Sequence, residues 1–75
     1  MINWRFVGHR SSNVRKIGWP TTGEPLMLVQ YHSGKTYGYR GVSRQRAVAA
    51  TMARSIGRYI NTRVKPHYPA SEVQL

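Results

Sequence analysis

The sequence predicts an α+β domain in which a three-stranded antiparallel meander packs against two C-terminal helices, in the order β-β-β-α-α. Three observations carry that expectation. Apolar and aromatic residues run at strand spacing from Val14 to Arg40, broken by the turn signals Pro20-Thr21-Thr22-Gly23 and Ser33-Gly34. From Ser43 onward the composition shifts to helix formers, RQRAVAATMAR. The chain has 75 residues, enough for one small domain. Domains of this size bury only about 60% of their unfolded surface, so the core is modest and there is no room for a deep substrate cleft.

Residues 1–10 read as an N-terminal extension, with Trp4, Phe6 and Val7 as a flap over the sheet and Ser11-Ser12 as a break. The domain proper spans residues 11–68. Val14 to Trp19 forms the first strand and places Ile17 and Trp19 on one face. Proline presets φ and Gly23 supplies a positive φ in the turn that follows. Leu26 to His32 is the most apolar run and ends at the hairpin signal Ser33-Gly34. Lys35 to Arg40 returns, with Tyr37 and Tyr39 on one face. A chain with a single Phe needs its tyrosines for the core. Tyr37 and Tyr39 are therefore expected mostly inside, with Tyr31 extending the set and the hydroxyls reaching the rim.

Ser43 caps the first helix. At 100° per residue Val48 and Met52 form its buried stripe, while Arg46 and Arg54 point away with Ala50 between them. Gly57 interrupts the pattern, as a site of close approach or positive φ. A second helix then covers Arg58 to Val64, turns Tyr59, Ile60 and Val64 inward and stops at Pro66. Residues 69–75 show no period and read as a flexible tail.

Charge is the strongest functional signal. Twelve Lys and Arg against two Asp and Glu give a net charge of +10, and nine of the twelve cations are arginine. Arginine suits bidentate contacts to phosphate and carboxylate. With so few acids to balance them, the cations repel one another unless a partner relieves the repulsion. A polyanion is the implied partner: nucleic acid (RNA or DNA) first, an acidic protein surface second. A membrane surface is not favoured, because no basic helix carries a bulky apolar face. Two groups of candidate binding residues stand out: Lys35, Arg40 and Arg44 around the hairpin-to-helix joint, and Arg46, Arg54 and Arg58 along the helical side. Arg15 is a further candidate, and Lys16 sits on the opposite strand face from it.

Catalysis is not expected. The only carboxylate side chains are Glu24, in a turn, and Glu72, in the tail, too far apart in role to form an acid–base pair. There is no Cys, and no serine sits in a nucleophile-elbow pattern. His9, His32 and His67 lack the i, i+3 or i+4 spacing of a zinc site. Gly34, Gly38 and Gly41 lie in a hairpin, not between a strand and a helix, so they do not make a phosphate cradle. No catalytic residue, metal, cofactor or small-molecule substrate is implied. The absence of Cys fits a reducing compartment, and MINWRFVGHR lacks the apolar run of a signal peptide. No stretch approaches the ~20 apolar residues of a membrane span. A soluble, cytoplasmic monomer is expected.

The ordered residues Ser11-Ser12-Asn13-Val14, Ile17-Gly18-Trp19, Val29, Tyr31, Gly34, Tyr37, Tyr39 and Val42 are followed by Ser55-x-Gly57-x-Tyr59-Ile60-Asn61 and Tyr68. This pattern resembles the KTSC domain, named for its place at the C-terminus of some lysyl-tRNA synthetases and also found alone in small bacterial and phage proteins. The resemblance covers residues 11–68. Trp19 stands where the family usually has Tyr, and Ser43 where Pro commonly follows the Val. The family has been suggested to bind RNA. The resulting expectation is a small, basic, non-enzymatic nucleic-acid-binding module, with RNA favoured by the resemblance. It would engage mainly phosphates through arginines, with little base readout. The alternative is a phage-type regulator that docks on an acidic surface of host machinery, such as RNA polymerase, to modulate transcription.

Overall fold

Backbone pairing gives one antiparallel sheet of five strands in the order β1-β2-β3-β4-β5. The strands are β1 (Ile2–Phe6), β2 (Val14–Pro20), β3 (Leu26–Tyr31), β4 (Thr36–Arg40) and β5 (Ala70–Val73). Between β4 and β5 lie α1 (Arg44–Thr51) and α2 (Ile56–Tyr59), the latter running on into a π-helical turn (Ile60–Val64). The structure, a computed structural model, describes residues 1–8 and 11–74. His9 and Arg10 lie outside the described residues.

The expected three-stranded meander with two C-terminal helices is thus corrected to five strands, and the helices are not C-terminal. The central hairpins form as the turn residues indicate, with Gly23 and Gly34 at φ 98° and 96°. What local pattern does not reveal are the two edges. INWRF becomes an edge strand because Ile2, Trp4 and Phe6 share one face and pair with Pro20, Gly18 and Lys16. Trp4 packs flat on Gly18, where a Cβ would approach its Cε3 to 2.6 Å. The glycine therefore admits the indole, and the segment is a paired strand instead of a flap. At the other edge ASEV carries almost no strand signal, yet Thr36 to Tyr39 pair with Val73 to Ala70.

The helices cover one face of the sheet. Val14, Ile17, Trp19, Met27, Val29 and Tyr39 point into that layer and meet Val42, Ala47, Ala50, Ile56, Ile60 and Val64. Here too the expected helix face needs correction: Ala50 is fully buried, whereas Met52 is 70% exposed. The inward stripe is Ala47, Ala50 and Thr51, spaced i, i+3, i+4. Ile17, Trp19 and Met27 supply bulk to this layer from the sheet, and Ala47 and Ala50 meet it from α1. Met52 is the C-cap, beyond the last regular turn, so the 100° progression no longer places it.

Ser55 starts α2 at Ile56, earlier than the expected Arg58, by accepting the Arg58 N–H at 3.4 Å. The π turn closes through Lys65 N–H to the Ile60 carbonyl, 2.8 Å. Ile56, Ile60 and Val64 stay buried on one side of this continuous segment, and Tyr59 is half-buried.

Candidate functional site

The loop before β2 is held against the β3–β4 turn. Ser11 Oγ accepts from the N–H of Asn13 (3.3 Å) and of Val14 (3.0 Å). The His32 N–H donates to the Asn13 carbonyl at 2.8 Å, and His32 Nε2 lies 3.1 Å from the Ser11 carbonyl. Facing this loop, Arg54 precedes the Ser55 cap and Arg58 follows in the first turn of α2. An open cleft of about 540 Å³ lies between them, lined by Ser11, Ser12, Asn13, Arg54, Arg58, Asn61 and Thr62, with Gly57 also on its wall. A Cβ at Gly57 would meet nothing within 4 Å, and its φ is not positive. Neither close approach nor backbone strain explains this glycine, which corrects both expectations for it. Its missing side chain leaves the cleft open.

Ser12 and Asn13 also line a second concavity, about 350 Å³, with Tyr31, His32, Ser33, Lys35 and Tyr37. Tyr31 and Tyr37 in turn line a third, about 420 Å³, with Tyr39, Lys65, Tyr68 and Ala70. Shared lining residues set the three side by side, as an interrupted groove around the end of the sheet that carries the β3–β4 turn, with Ser12 and Asn13 between the first two and Tyr31 and Tyr37 between the second and third. Arg54 and Arg58, Lys35, and Lys65 stand along it in that order. None of the lining residues is a carboxylate. Glu72 is the register partner of Tyr37 on β5, so it leaves the sheet on the same face, exposed at the edge beside the lining. The π turn divides the groove's helical wall: Asn61 and Thr62 face the arginine cleft, whereas Lys65 and Tyr68 face the tyrosines. Such turns are rare and are often found at functional sites.

In the tyrosine pocket the Tyr31 and Tyr37 rings meet edge to face, with centroids 5.8 Å apart and planes at 73°. The Tyr31 and Tyr39 hydroxyls are 3.3 Å apart. Burial, followed by the hydrogen bond to Tyr39, pushes the Tyr31 hydroxyl well above the ordinary phenol range. Lys65 Nζ lies 5.9 Å from the Tyr31 ring centre. Tyr39 is core, at 2% exposure, while Tyr31, Tyr37 and Tyr68 are half-buried around the opening. The tyrosines thus divide between core and rim.

The candidate cations are distributed unevenly. Arg54 and Arg58 share the cleft, but Arg46 is half-buried on α1 and lines none of the three concavities. Lys35 and Arg40 stand at opposite ends of β4, about 17 Å apart at ~3.4 Å per residue. Arg44 lies by the β2–β3 turn, near Pro20 to Pro25, at Arg40's end of the sheet. The trio expected at the hairpin-to-helix joint is therefore split. Arg15 is exposed at a register shift in β2 between Val14 and Lys16. Lys16 occupies the outer sheet face, its Nζ 4.3 Å from the Trp4 ring centre and 5.2 Å from that of Phe6.

Sequence reasoning passed over Lys65, Asn61, Thr62, Ser12 and Asn13 as lining residues. A signal was available: Ser11-Ser12-Asn13, Tyr31, Tyr37, Tyr39, Ser55, Gly57, Asn61 and Tyr68, residues that carry the family resemblance, all line the groove. Among the described residues no cluster of His, Asp or Glu could hold a metal ion, and no helix is long and apolar enough to cross a membrane.

The KTSC domain family model matches residues 10–68, most of the chain. No curated protein matches. Among solved structures the chain is similar to a KTSC domain protein from Yersinia pestis, with a TM-score of 0.84 and 22% sequence identity, over 99% of this chain and 100% of that one. At this identity the likeness speaks to the fold, which the two share from the first strand to the last. The match of the family model over residues 10–68, together with the shared fold, establishes that the chain belongs to the KTSC domain family.

Proposed function

We propose that the protein is a non-enzymatic nucleic-acid-binding module that holds the phosphate backbone in the groove between the Ser11–Asn13 loop, α2 and β4. One observation carries this reading: three adjoining concavities present Arg54, Arg58, Lys35 and Lys65 with no carboxylate in their linings. Two arginines flanked by serine hydroxyls and the Asn13 and Asn61 amides suit phosphate oxygens, because guanidinium forks and neutral donors both bind anions without readout of base identity. RNA is favoured over DNA by the family resemblance.

The test is a titration with single strands of several sequences as salt is raised. Four engaged cations give a slope of log K against log salt of about −2.8, so affinity falls roughly 50-fold between 50 and 200 mM salt. Arg54→Ala and Arg58→Ala should each weaken binding to every sequence alike and flatten the slope by about one contact. Absence of binding at low salt would overturn the proposal and leave an acidic protein surface as the partner to pursue. Unchanged binding by both variants would remove the groove from it.

A further inference from the structure

We propose that the tyrosine pocket at the end of the groove is a nucleobase subsite, taking one unstacked base of a single strand whose phosphates run back towards Arg54 and Arg58. This rests on the phosphate-binding reading above and adds what the strand's bases do. The pocket's volume of about 420 Å³ falls within the roughly 300–1,000 Å³ of small-ligand sites. Its lining combines rings with a single cation, Lys65, which suits a planar group that carries a phosphate.

Tyr31 and Tyr37 meet edge to face at 73°, so one ring's edge meets the other's face, and a base would lie on a remaining face of these half-buried rings or of Tyr68. The Tyr31–Tyr39 hydroxyl contact, in which either oxygen can donate, anchors the inner wall. Tyr68 is set opposite by its own N–H, which donates to the Val64 carbonyl at 3.0 Å, and packs over Gly41, where a Cβ would stand 3.4 Å from Tyr68 Cδ1. A base inside a duplex stack cannot enter such a pocket, so the site selects single strands.

The experiment compares the wild-type protein at low salt with a single-stranded oligomer, an abasic strand of the same length, the corresponding duplex, and a free mononucleotide. One stacked base predicts about 5- to 150-fold tighter binding of the intact strand than of the abasic one. It also predicts weaker binding of the duplex and of the mononucleotide than of the intact strand. Tyr37→Leu, at a half-buried rim position, should abolish the difference between intact and abasic strands while retaining the binding common to both. Equal affinity for intact and abasic strands would overturn the base subsite and leave the phosphate reading standing. A mononucleotide that binds as tightly as the oligomer would overturn the strand assignment in favour of a free nucleotide. Failure of all four ligands to bind would overturn both readings. The abasic comparison uses unaltered protein, so it stays decisive even if Tyr37→Leu fails to fold.

Discussion

Placing a carboxylate at position 57 separates folding from binding, because Gly57→Glu should move the two in opposite directions. Gly57 lies in α2 at ordinary φ and lines the cleft, and an added Cβ meets nothing within 4 Å, so a side chain starts from this position without a clash at its root. Glycine in a helix interior costs about 0.8–1.0 kcal/mol relative to Ala, and Glu ranks close to Ala. At the second position of a short helix the gain is smaller, about 0.5 kcal/mol, which corresponds to a Tm rise of roughly 2–4 °C for a domain of this size. Binding should fall, since the carboxylate sits between Arg54 and Arg58 and competes with phosphate for both. Losing two contacts would reduce the salt slope from about −2.8 to about −1.4. Gly57→Ala is the control, with the same gain in stability and binding within a few-fold of wild type. Thermal unfolding and the salt titration together read the outcome. A destabilised Gly57→Glu would show that the cleft is not open space, and a stable variant with an unchanged slope would show that phosphate does not use it.

Two further predictions test the fold. Ala50→Asp buries a carboxylate under α1 and should cost several kcal/mol, a large part of the 5–15 kcal/mol typical of a domain, whereas Met52→Asp at an exposed cap should stay within about 1 kcal/mol. Chemical denaturation of both variants checks this, and equal losses would refute the helix face. Tyr31 supplies a pH dependence. Its folded-state pKa is raised above the unfolded value of about 10, so its contribution is fully present below that pH and is lost as the unfolded chain ionises above it. Unfolding free energies measured from about pH 8 to 11 should fall less steeply for Tyr31→Phe than for wild type. Parallel curves would place the phenol in an environment like water.

How much of this molecule could be read in advance depended on the range over which each feature is encoded. The β3–β4 hairpin is local: Ser33-Gly34 supplies the turn, and alternation puts Tyr37 and Tyr39 on one face. Ser43 as a helix cap is equally local, with the Arg46 N–H donating to its Oγ at 3.1 Å. Arg54 and Arg58 flank the Ser55 cap, so their proximity follows from the local turn into α2. The edge strands have no such support. INWRF is readable as a strand only once Gly18 is known to lie beneath Trp4, and ASEV only once β4 is known to have a free edge beside it.

The sequence by itself therefore determined the basic surface, the turn positions, the family pattern and the local pairing of residues within a few positions of one another. These rest on backbone preference, side-chain period and charge, which need no knowledge of distant chain. Tertiary structure alone decided which helix face is buried, with Ala47 and Ala50 meeting the layer of Ile17, Trp19 and Met27 while Met52 at the C-cap stays exposed. It also separated Lys35 from Arg40 and Arg44 and joined Ser12 and Asn13 to Arg58 on one side and to Tyr31 on the other. A groove is a property of surfaces brought together from loop, hairpin and helix, and its residues share no period along the chain. Only the packing of the helical segment across the sheet, with α2 against the Ser11–Asn13 loop and the residues after the π turn beside β4, makes them neighbours.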